Sequence, residues 1–150
     1  MALTDAAISG DPPPTLDTAA RRRAFVLPAD GTAVGEARHL VLEQLRDWDI
    51  TSDGCDTAVL VVSELFTNSV IHTNSEAITC NVGATDDQLL IQVADDGSGQ
   101  TEPTPRQAHP HAEEGRGLML VKALSERWGV AVAGQREIRV VWATLRLNQS

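Results

Sequence analysis

Cysteine is scarce in this chain. Only Cys55 and Cys80 occur, far apart and in no C-x-x-C pair, which leaves little for redox or metal chemistry and reads as a reducing cytosol. Positive charge is short as well: 12 basic residues against 21 acidic ones leave a net charge of -9. Such a field repels phosphate backbones and anionic lipid surfaces, so neither nucleic acid nor membrane is an expected partner. The first residues lack the basic region and apolar run of a signal peptide, and no uncharged apolar span approaches the roughly 20 residues of a membrane helix. The expectation is a cytoplasmic protein. No internal repeat is visible.

What is present is enough for one domain, since 150 residues at 42% hydrophobic can bury a real core but not two comfortable ones. Residues 1–20, with Pro12, Pro13 and Pro14 and no sustained apolar period, read as a flexible tail before a domain spanning 21–150. A first strand is predicted in RRRAFVLPAD. Val34, Ala37, Val41, Leu45 and Trp48 then recur at intervals of three and four, the stripe of an amphipathic helix. After TSDG a second helix runs from Cys55 to His72, with Ala58, Val59, Val62, Phe66 and Val70 as its apolar face.

Two strands, AITCNVGAT and QLLIQVADD, follow as a hairpin around Asp86 and Asp87. Residues 97–117 hold four glycines and three prolines and almost nothing apolar, and read as one long loop. LMLVKALSERWGV is predicted to be a helix buried through Leu118, Val121, Leu124 and Trp128, and a last hairpin turns at Gln135 and Arg136. This order suits an α+β two-layer sandwich: a mixed, mostly antiparallel sheet covered on one face by three helices.

Three polar clusters stand out. Glu64, Asn68 and His72 repeat every four residues along the second helix; taken alone, the motif is better explained by a solvated face, and His72 also suits a helix-end cap. Asp95, Gly97 and Gly99 form an Asp-x-Gly-x-Gly run that ends a strand, which by itself is a turn. Gly115 and Gly117 precede the predicted third helix, where free N–H groups can face an anion or the glycines can simply loosen its entry. His109 and His111, followed by Glu113 and Glu114, complete no recognisable zinc signature.

The three clusters, in this order, make residues 21–147 resemble the GHKL ATPase superfamily of gyrase, heat-shock chaperones, histidine kinases and mismatch-repair ATPases. Within it the chain is most similar to the anti-sigma-factor serine kinases and stand-alone actinobacterial ATP-binding regulators. The resemblance implies a Bergerat-type ATP-binding fold taking ATP or ADP with Mg2+. It implies Asn68 as the Mg2+ ligand, Glu64 as the catalytic base and Asp95 as the acid that reads the adenine amino group, with Gly97 and Gly99 admitting the base close to the backbone. The loop becomes a lid, Gly115 and Gly117 its hinge and phosphate cradle, and either Arg106 or Arg116 the partner of the terminal phosphate. Asp96 is left as a solvated turn residue and Lys122 as a surface lysine.

Two functions follow from the resemblance. One is a serine kinase that phosphorylates an anti-anti-sigma antagonist and sequesters a sigma factor, possible as a homodimer by analogy. The other is a non-catalytic, nucleotide-gated protein-binding module. A sensor histidine kinase fits poorly, because about 20 N-terminal residues cannot supply a two-helix dimerisation domain.

Overall fold

A computed structural model describes residues 8–15, 20–96, 111–135 and 137–147, and for 8–10 and 111–117 the backbone alone. Six strands, β1 (Ile8–Gly10), β2 (Arg21–Pro28), β3 (Ala77–Ala84), β4 (Gln88–Asp95), β5 (Arg127–Ala133) and β6 (Ile138–Arg146), form one sheet in the order β1-β5-β6-β4-β3-β2. Every described pairing is antiparallel. Three helices, α1 (Val34–Asp47), α2 (Ser52–His72) and α3 (His111–Leu124), cover one face. The two-layer α+β sandwich expected from the sequence is the fold that forms.

Alternation along the strands puts the core on the helical face. Cys80, Val93 and Val141 stand in one cross-strand row, with Val82, Ile91 and Ala143 in the next, and all six are essentially inaccessible. From above, α1 contributes Ala37, Val41 and Leu45, as its periodicity predicts. Its end is a Schellman turn: the N–H of Asp49 bonds to the carbonyl of Arg46 and that of Ile50 to Leu45, with Asp49 at φ 60°. Thr51 then caps α2, its Oγ1 accepting from the N–H of Gly54.

The buried side of α2 is broader than the predicted one. Ala58, Val62 and Phe66 are buried as expected and are joined by Val61, Leu65 and Ser69, whereas Val59 and Val70 are only partly covered. Among the described residues α2 is the one helix long and apolar enough to cross a membrane by length and composition; here it is the central core helix.

Three further expectations are corrected. The third helix starts at His111, so Gly115, Arg116 and Gly117 lie inside it rather than before it. Ala112, Glu113 and Glu114 explain the earlier start, because alanine and glutamate favour helix and the acids suit its positive first turn. At its other end α3 stops at Leu124, and Trp128 belongs to β5, paired with Ala143. Finally, part of the segment expected to be a free tail is docked: Ile8–Gly10 pairs with β5 as a sixth strand.

Beyond β1 the chain turns onto the helix-free face. There Trp142, 1% exposed, donates from its indole Nε1 to the carbonyl of Asp11 at 2.9 Å. Trp142 and Leu90 form a small second core, and residues 13–15 share a groove of about 530 Å3 with Arg22, Asn81, Leu90 and Gln92.

Candidate functional site

The polar stripe on α2 is not a solvated face. A step of four residues advances an α-helix by about 40° beyond a full turn, so a stripe at that spacing winds around the helix. Glu64 is half-buried at the flank, and Asn68, one turn on, has wound into the interior and is 5% exposed. His72 follows, half-buried, at the end of the helix.

The flank that carries Glu64 faces α3. Thr57, two turns earlier on the same side, shares a cleft of about 320 Å3 with Gly54, Ala123 and Leu124. The end of α3 therefore lies beside the start of α2, and α3 packs back along it. In a helix that begins at His111, the N–H groups left without intrahelical partners are those of its first turn, up to about Glu114. Gly115 and Gly117, expected as the lid's hinge and phosphate cradle, thus lie beyond those free N–H groups. Lys122 is exposed, as a surface lysine should be.

Asn68 is, with Ser69 and Thr144, among the buried residues with a side-chain oxygen that lacks a partner among the described residues. Its Oδ1 is buried and, among the described residues, has no hydrogen-bond partner. A lone buried carbonyl oxygen carries a desolvation cost of about 1–3 kcal/mol, so such atoms call for an explanation. A hard cation is one, since a single protein oxygen is enough for Mg2+ that keeps its waters and phosphate oxygens. No group of three His, Cys, Asp or Glu side chains gathers among the described residues, so a metal cage is not the alternative there.

Asp95 ends β4 on the same face as Ile91 and Val93, and is 4% exposed. Asp96 is half-buried just beyond the strand, and its N–H lies 3.4 Å from Ser75 Oγ. Both carboxylate oxygens of Asp95 are engaged: Oδ1 accepts from the backbone N–H of Arg139 at 3.1 Å, and Oδ2 from the Thr73 hydroxyl at 3.0 Å. A carboxylate fixed from two sides presents an acceptor of defined orientation, which suits an amino group and opposes a carbonyl.

Thr73, Ser75 and Arg139 are the residues that sequence reasoning missed. A local signal existed for the first two. The N–H of Ser75 bonds to Thr73 Oγ1 at 3.0 Å, the turn that Ser and Thr favour at helix ends. Arg139 contributes a backbone group and has no side-chain signal. Gly97, Gly99, Arg106 and His109 lie outside the described residues, as do the side chains of His111, Glu113, Glu114 and Arg116.

Neither cysteine belongs to the site. Both are free and buried, and burial pushes the Cys80 thiol up to about 12 and raises that of Cys55.

A comparison with curated proteins finds no match. A family model does match. It describes a histidine kinase-like ATPase domain and covers residues 27–142, from the end of β2 to the middle of β6, with Asn68 and Asp95 inside it. That span is most of the chain, and the chain belongs to the histidine kinase-like ATPase domain family, an ATP-binding fold.

Proposed function

We propose that this protein is a Mg-ATP-dependent serine kinase that phosphorylates an anti-anti-sigma antagonist and, when not doing so, holds a sigma factor inactive in the cytoplasm, with a homodimer as its working form. The observation that carries the nucleotide part of this reading is the buried Oδ1 of Asn68, without a partner among the described residues, one turn from the half-buried carboxylate of Glu64.

In this reading each side chain has one task. Asn68 holds Mg2+, which when bound neutralises phosphate charge and orients the phosphates. Glu64 accepts the proton of the incoming serine hydroxyl, a role that suits a carboxylate at the rim rather than in the core. Asp95 accepts from the adenine amino group. The first turn of α3 lends its unpaired N–H groups to anionic oxygen, and Arg106 or Arg116 pairs with the terminal phosphate.

The deciding experiment incubates the purified chain with labelled ATP, Mg2+ and the candidate antagonist proteins encoded in the same genome. Label on an antagonist serine is the expected result. Nucleotide binding without transfer to any of them would overturn the kinase and leave a nucleotide-gated binding module.

A further inference from the structure

Thr73 closes α2 in extended backbone, at φ -125° and ψ 154°, and is buried together with Ser75 and Asp95. Its Oγ1 is 3.0 Å from Asp95 Oδ2 and 2.8 Å from Ser75 Oγ. A hydroxyl has a single proton, and a carboxylate can only accept. The Thr73 proton therefore goes to Asp95, and Ser75 must be the donor in the contact between the two hydroxyls. The N–H of Asp96 approaches Ser75 Oγ at 3.4 Å, so the series from Asp96 through Ser75 and Thr73 runs in one direction and ends on Asp95.

From this arrangement we infer that Thr73, backed by Ser75, is a positioning residue that sets base specificity: it holds Asp95 as a fixed acceptor and so makes the site select 6-amino over 6-oxo purines. The inference rests on the nucleotide-binding reading above. Without the Thr73 hydroxyl, Asp95 keeps only the Arg139 N–H among these two anchors. Its orientation is then set less firmly, and it discriminates less sharply between a 6-amino donor and a 6-oxo acceptor. Tolerance of the wrong base is the consequence, which a loss of packing alone would not produce.

The test uses the full chain and calorimetric titration with Mg-ATP and Mg-ITP, which differ at the 6-position. Thr73→Val keeps the shape and suits extended backbone but removes the hydroxyl; Thr73→Ser retains it. The expected result for Thr73→Val is roughly a tenfold loss of ATP affinity with little change for ITP, so that the ATP-to-ITP preference collapses, while Thr73→Ser stays near the parent. A preference in Thr73→Val equal to the parent's, whether both affinities fall or neither does, overturns the inference and leaves the nucleotide site standing. Parent protein that binds neither nucleotide overturns both readings. Should Thr73→Val not fold, as judged by thermal unfolding, Ser75→Ala decides. It withdraws the hydroxyl that aims the Thr73 proton, and an unchanged ATP-to-ITP preference in that variant counts against the inference.

Discussion

Gly129 and Trp142 face one another across β5 and β6, and a Cβ on Gly129 would stand 2.8 Å from the indole ring. The ring is also capped by the Arg127 guanidinium, 5.5 Å from its centroid, and tied to Asp11 by its N–H. Gly129→Ala should therefore cost about 1–3 kcal/mol of stability, the usual penalty of overpacking. Urea unfolding measures it. The smaller ring of a Gly129→Ala, Trp142→Phe double variant should recover part of the loss, and equal stability of Gly129→Ala and the parent would show that the ring moves aside freely.

Asn68→Ala should weaken nucleotide binding only when Mg2+ is present. The substitution removes a buried oxygen that has no described protein partner, so it breaks no described side-chain bond of that atom. Titrations with and without Mg2+ measure the difference. An equal loss in both would assign Asn68 to packing.

Glu64→Ala should leave nucleotide affinity nearly intact and reduce phosphoryl transfer by roughly a hundredfold or more, the range of a lost general base. The two substitutions sit one turn apart and should act on different quantities. If both lower affinity alike, the division of labour between rim and interior is wrong.

Asp95→Asn places an amide between two donors, the Thr73 hydroxyl and the Arg139 N–H. One amide oxygen cannot serve both, and the NH2 opposes the other. A loss of at least about tenfold in ATP affinity is expected by calorimetry, with a fall in thermal stability in the absence of nucleotide.

The buried thiol of Cys80 gives a pH dependence with a definite sign. Unfolded, it ionises near 9.0; folded, burial holds its pKa at about 12, so over that window the native state binds more protons than the unfolded one. Stability must then fall as pH rises from about 9 towards 12. Cys80→Ser should flatten that slope, and in the native parent Cys80 should resist alkylation that proceeds readily in denaturant.

The strongly periodic elements were legible in the sequence. Ala37, Val41 and Leu45 define α1 without ambiguity, and the alternation of β3 and β4 places Asp95, not Asp96, on the inner face. Trp128 shows where periodicity fails: it continues the spacing of Val121 and Leu124 as well as a helical residue would, and only its ladder partner Ala143 makes it a strand residue. Gly115 and Gly117 suggest a break in the helix, yet the acids before them start it earlier. The anchoring of Asp95 was out of reach, because the bonds from Thr73 and Arg139 join positions 22 and 44 residues away in the chain.

β1 and β2 occupy opposite edges of the sheet, with four strands between them. The ten residues from 11 to 20 must bridge five inter-strand intervals, about 24 Å, and a chain of that length reaches roughly 36 Å when extended. They can do so, but among the described residues β1 pairs only with β5, more than 120 residues further along the chain. Residues 8–10 therefore cannot take their place in the sheet until residues 131–133 are available to pair with them, and this edge depends on a contact between distant parts of the chain.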